Sequence, residues 1–159
     1  MELKKLDGSF YQDNPAIIQA LDFDAETQTW AEGKTRGHGI VQISINDLTF
    51  AIPVRSNIRH DASLILQVDR RNHHVKGMGL DYSKAMLIRD GKHVTEDSFV
   101  LRSKQAGKKL VGKEEHITKQ FQKYVDKYIA AVKSGDGNIL KSWEYIYTTL
   151  INYHEELGI

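Results

Sequence analysis

The run Ile40-Val41-Gln42-Ile43-Ser44-Ile45-Asn46-Asp47-Leu48-Thr49-Phe50-Ala51-Ile52-Pro53 decides the fold. Apolar and polar residues partly alternate from Ile40 to Ile45, and extended character resumes over Leu48–Ile52. Between them Asn46-Asp47 supplies turn chemistry that tolerates positive φ, so the segment predicts a β-hairpin. Pro53 is expected to end the second strand, because proline cannot donate to a ladder.

Working outward, Leu64–Val68 reads as a third, largely buried strand. Ala85–Arg89 reads as a fourth, turning at Asp90-Gly91, and Phe99–Leu101 as a fifth. Upstream, Asn14-Pro15 followed by residues 16–21 reads as a short helix with proline in its first turn. Downstream the period changes. Ile117, Phe121, Tyr124, Val125, Tyr128, Ile129 and Val132 recur at helical spacing from Glu114 onward, and Ser134-Gly135-Asp136-Gly137 breaks the pattern. Ile139, Trp143, Ile146, Tyr147, Leu150 and Ile151 predict a final helix ending before Gly158, and the aromatic stripes of both helices read as core. The expected architecture is α+β: one domain over residues 1–159, a twisted, mainly antiparallel sheet covered by a C-terminal helical pair.

The composition narrows the chemistry. The 159 residues include no cysteine, which excludes a disulfide framework, a thiolate metal site and a cysteine nucleophile. No signal-like apolar run opens the chain and no apolar run approaches about 18 residues, so the expectation is a soluble cytoplasmic protein without a membrane partner. Net charge is only +1, but it is segregated: no acid falls between Asp97 and Glu114, where Arg102, Lys104, Lys108, Lys109 and Lys113 lie. A second basic set, Lys34, Arg36, Arg55, Arg59 and His60, brackets the hairpin, so a neutral chain can still present a positive face to phosphate.

Three stretches compete as sites. Lys34–Gly39 could bring backbone, Lys34 and Arg36 close to a phosphate, although no Gly-Lys-Ser/Thr ending makes it a P-loop. Pro53–His60 gathers a hydroxyl, an amide, two guanidiniums and an imidazole in what reads as one short polar loop. Cleaving RNA without a metal needs a proton acceptor for the 2′-hydroxyl, a donor for the leaving oxygen and cations for the phosphate, and these residue types supply them. The third stretch, Asp69–Gly77, carries His73-His74; adjacent histidines diverge on a regular strand and make a poor chelating pair. No metal and no other cofactor is expected.

The order of Gly39-Ile40-Val41, then Ala51-Ile52-Pro53-Val54-Arg55-Ser56, then residues 79–86 (Gly-Leu-Asp-Tyr-Ser-Lys-Ala-Met), then two terminal helices, resembles the ToxN/AbiQ group, toxins of type III toxin–antitoxin systems. The chain is most similar to the CptN and TenpN branch, over roughly residues 30–155. The resemblance implies a fold related to the MazF/Kid toxins and a metal-independent endoribonuclease that leaves 2′,3′-cyclic phosphate and 5′-hydroxyl ends on cellular RNA. It also implies a small RNA antitoxin, a pseudoknot repeat that the toxin processes and that joins it in a closed heteromeric complex. The family's serine after the second hairpin strand matches Ser56. Its companion threonine is Arg55 here, and the lysine expected shortly afterwards is replaced by Ile58, with Arg59 and His60 nearby. The family's basic residue before the hairpin falls at Thr35, flanked by Lys34 and Arg36, of which Arg36 is taken because the neighbouring glycine permits close approach. On this reading Ser56 orients the scissile phosphate, Arg36 and Arg55 stabilise its charge, and His60 moves protons. Lys34, Asn57, Arg59, Lys84, Arg102, Lys104, Lys108, Lys109 and Lys113 contact RNA. The alternatives are a non-catalytic RNA-binding regulator using the same basic face, and a protein-interaction domain that would expose Tyr124, Tyr128 and Tyr147.

Overall fold

The computed structural model describes residues 1–31 and 39–159. Strand β1 (Lys4–Leu6) leads into helix α1 (Gly8–Asp13), which Asp7 caps by accepting from the Ser9 N–H. A two-residue ladder, β2 (Phe23–Asp24) with β3 (Thr29–Trp30), precedes the hairpin β4 (Ile40–Ile45) and β5 (Leu48–Ile58). Then come β6 (Ser63–Val68), β7 (Gly77–Asp81), a 3-10 turn over Tyr82–Lys84, β8 (Met86–Leu87) and β9 (Val94–Ser98). Helices α2 (Lys104–Lys108), α3 (Glu114–Ser134), α4 (Gly137–Leu140) and α5 (His154–Leu157) complete the α+β fold. The main sheet has the order β6-β7-β5-β4-β1-β9, with β8 also on β5, and every described pairing is antiparallel.

The hairpin forms as its sequence predicts. Asn46 and Asp47 both take left-handed backbone (φ 51° and 62°), the geometry that matches the twist of the flanking strands. Along β4 the apolar side chains Ile43 and Ile45 turn inward while Gln42 and Ser44 face out. Against the sheet lies α3, which buries Ile117, Phe121, Tyr124, Val125 and Tyr128 on one stripe. The Phe121 and Phe50 rings meet edge-on at 5.2 Å. Gly135 ends the helix in left-handed conformation, at the expected break. Among the described residues, no helix is long and apolar enough to cross a membrane.

Several expectations are corrected. Pro53 does not end the second strand; it pairs with Ile40 in the middle of an eleven-residue β5. The Val54 N–H donates to Gly39 O, so the Pro53 nitrogen faces the opposite edge. There the neighbour changes from β8, at Phe50 and Ala51, to β7, at Val54 and Arg55. Proline's missing donor thus falls where no ladder bond is due, and Pro53–Ile58 is strand rather than loop. The helix expected over residues 14–21 forms one segment earlier. Asn14 caps the end of α1 ahead of Pro15, and Gln19 and Asp22 at positive φ prevent a second helix. The strand expected at Ala85–Arg89 shrinks to Met86–Leu87, and that at Phe99–Leu101 moves upstream to β9. The final helix dissolves into α4, turns, a 3-10 turn over Thr149–Asn152, and α5. Thr148 Oγ1 accepts from the Leu150 N–H, and Thr149 Oγ1 donates to the carbonyls of Ser83 and Ala85. The local bond of Thr148 competes with helix continuation, and the bonds of Thr149 tie the turn to residues 83–85 instead.

Strand β7, between β5 and β6, carries the tightest backbone approach. A Cβ at Gly79 would lie 2.0 Å from Leu64 O and 2.8 Å from Ile65 Cα, both backbone atoms that cannot swing aside. Gly79→Ala should therefore cost about 3 kcal/mol and lower Tm by roughly 10 °C. Calorimetry of the variant beside Gly91→Ala, where a Cβ meets nothing within 4 Å, checks the attribution.

Candidate functional site

The site is built around Asp81, whose side chain is fully buried at the end of β7. Arg55 Nη1, from β5, donates to Asp81 Oδ2 at 3.0 Å. The Ser83 N–H and hydroxyl both donate to Oδ1, at 3.0 and 2.6 Å. His60, in the link from β5 to β6, places Nε2 3.3 Å from Asp81 Oδ1. The Nδ1 of that ring accepts the Ala62 N–H at 3.2 Å, which puts the ring proton on Nε2, facing the carboxylate. Burial opposes ionisation of Asp81, but the hydrogen bonds from His60, Ser83 and Arg55 outweigh it and hold the carboxyl below the usual carboxylate range.

In front of this hub opens a cleft of about 380 Å³, lined by Gln19, Arg55, Asn57, Arg59, His60, Ser83, Lys84, Trp143 and Tyr147. Lys84 is 8% exposed, and its Nζ donates to Gln19 O and Tyr147 O, both at 2.8 Å. Burial pushes the Lys84 ammonium down to about 8; the charge of Asp81 opposes this shift and that of Arg55 adds to it. Two of the three ammonium hydrogens are committed to carbonyls, leaving one position toward the cleft. Arg59 and Asn57 are exposed, and Asn57 has φ 58° at an irregularity in the β5–β7 register.

Ser56 alternates to the other face of β5. It lines a separate groove with Gly39, Val54, Met78, Phe99, Leu101 and Arg102. The structure thus brings Arg55, Asn57, Arg59, His60 and Lys84 together and places Ser56 with Arg102 in this groove and with Asn57, Arg70 and Arg71 in a neighbouring one. Lys104, Lys108, Lys109 and Lys113 are exposed on and around α2, outside the residues that line the cleft. Lys34 and Arg36 lie outside the described residues. His73 and His74 are exposed with ring centroids 4.3 Å apart. Among the described residues, no group of three or more His, Asp or Glu side chains is placed to hold a metal ion. Tyr124 and Tyr128 are core, whereas Tyr147 and Trp143 are exposed, so the aromatic stripe divides between interior and cleft.

Asp81, Trp143 and Tyr147 carry little sequence signal of these roles. The available cue for Asp81 is its spacing to Ser83, an Asp-x-Ser arrangement that lets a carboxylate bond the backbone two residues on. Comparison with protein-family models, curated proteins and solved structures finds no match for this chain.

Two outcomes follow from the buried charges. Asp81→Asn should lose about 2 kcal/mol, less than for a fully enclosed pair because Arg55 reaches water. Asp81 has a folded pKa below its unfolded value, so its stabilisation is present above about pH 4 and lost as pH falls through the folded value. Urea midpoints of the parent chain and variant should therefore converge in acid. For Lys84 the folded pKa, about 8, lies below the ordinary lysine value of 10.5. Above pH 8 the unfolded chain keeps a proton that the folded chain releases, so stability rises with pH in that window. The rise from pH 7.5 to 9.5 should flatten in Lys84→Met.

Proposed function

We propose that this chain is a metal-independent endoribonuclease of the ToxN/AbiQ kind, with a MazF/Kid-related fold, restrained by a repeated pseudoknot RNA antitoxin. The observation that carries the reading is the convergence of Arg55, Arg59 and Lys84 on one cleft; among the described residues no acid lines it, and Asp81 is buried behind it and internally bonded. Such a cleft presents net positive charge to a phosphodiester, and arginine forks match its non-bridging oxygens. Cytoplasmic RNA is the substrate, and the exposed lysines of residues 104–113 hold its flanking strand.

In the reaction, unprotonated Lys84 Nζ takes the proton of the 2′-hydroxyl. The 2′-oxygen forms a bond to phosphorus while Arg55 and Arg59 stabilise the added charge. The bond to the 5′-oxygen breaks, and that oxygen leaves with a proton from water. The products are a 2′,3′-cyclic phosphate and a 5′-hydroxyl. An amine titrating near 8 is matched to proton transfer at neutral pH. His60, expected from the resemblance to move protons, has both ring nitrogens engaged and orients Asp81 in this scheme. Ser56 contacts the RNA beyond the reacting phosphate, from the opposite face of β5. That same engagement of His60 favours, as the second reading, a non-catalytic RNA-binding regulator.

End-mapping of RNA incubated with the purified protein in excess EDTA tests the proposal. Cyclic-phosphate ends are expected, with cleavage at least about 100-fold slower in Lys84→Met and RNA binding retained. Loss of cleavage on chelation, 5′-phosphate products or a fully active Lys84→Met would refute it, and RNA that is bound but left intact would establish the second reading.

A further inference from the structure

Two aromatic rings on the wall of the cleft take no part in the chemistry above. Trp143 is 68% exposed and Tyr147 51%, while Tyr145 between them is buried and stacks on Tyr124 at 4.6 Å with 5° between the planes. Leaving large rings in water forgoes the favourable burial of their apolar surface. The backbone that presents them is nevertheless firmly held. The Tyr124 hydroxyl donates to Glu144 O at 2.7 Å, and the Tyr145 hydroxyl donates back to Tyr124 O at 2.8 Å. Lys84 Nζ donates to Tyr147 O, and the N–H groups of Tyr145 and Ile146 both donate to Ser142 O. The rings therefore stand on a scaffold organised before any ligand arrives.

An unpaired nucleotide joins a flat π-face to an anionic phosphodiester, and this cleft joins exposed aromatic faces to two guanidiniums. Charge complementarity favours nucleic acid over an apolar partner. A duplex offers no free base face, so the pairing selects single strands. Resting on the RNA reading above, we infer that Trp143 and Tyr147 form a stacking shelf for one unpaired base whose adjoining phosphate is held by Arg55 and Arg59.

The test uses a six-nucleotide single-stranded RNA with 2′-O-methyl riboses, which binds but has no free 2′-hydroxyl to attack, and an abasic strand of equal length. Titration should quench Trp143 emission; Trp30, packed among Phe10, Tyr11 and Phe23, supplies an unchanged background. Trp143→Leu should bind the intact strand roughly tenfold more weakly, and Trp143→Phe should recover most of that loss. The abasic strand should bind the parent chain and Trp143→Leu alike. Equal affinity of the intact strand for both proteins, or an equal loss on the abasic strand, would overturn the shelf. Cleavage of unmodified RNA together with an unchanged Trp143→Leu affinity would remove the shelf and leave the nuclease. Quenching and the tenfold loss in a protein that cleaves nothing would remove the nuclease and leave the shelf. No binding of the intact strand by the parent chain would remove both.

Discussion

A carboxylate withdrawn from water must be repaid by donors on every side, and Asp81 sets this condition for the whole site. A lone buried charge is prohibitively costly. Asp81 is tolerated because Arg55 reaches it from β5, His60 from the link that follows, and Ser83 from its own turn. These partners lie 26, 21 and 2 residues away in sequence, so satisfying one side chain requires β5, the β5–β6 connection and the end of β7 to meet. The geometry of the cleft follows from that requirement. Arg55 is held at the rim by the hub, and the 3-10 turn that begins at Tyr82 directs Lys84 inward beside it.

Much of the scaffold was legible in the chain. The β4–β5 hairpin announces itself through alternation and Asn46-Asp47, and α3 through its apolar stripe and the glycine that ends it. Strand β7 escapes such reading because Gly77 and Gly79 are poor strand formers chosen for closeness to β6, a tertiary demand with no local signal. Pro53 misleads for a related reason: its missing donor matters only relative to neighbouring strands, and those neighbours change at that point. Residues 139–151 show helical spacing, but Thr148 and Thr149 direct their hydroxyls to the backbone of their own turn and of residues 83–85.

The site was legible in its residue types and not in its arrangement. Arg55, Arg59 and Lys84 stand out as cations and His60 as an imidazole near a strand end, and they line one cleft. Ser56, adjacent to Arg55 in sequence, points to the other face because the strand period is two. As a loop, Pro53–His60 hides that consequence; as strand, Pro53–Ile58 exposes it at once. Trp143 and Tyr147 share their spacing with core aromatics. Only the position of the turn against Lys84 separates rings that are buried from rings that face the cleft.

The bonds of Lys84 also bear on the order in which the molecule assembles. Its Nζ joins a carbonyl 65 residues earlier to one 63 residues later. Contacts between such distant parts of a chain repay their loop-closure entropy late, after local pairings such as the β4–β5 hairpin have formed. By this reasoning the β4–β5 hairpin is expected to precede the cleft, whereas the β1–β9 pairing, Lys4 with Ser98, closes a still longer loop and belongs with the late contacts.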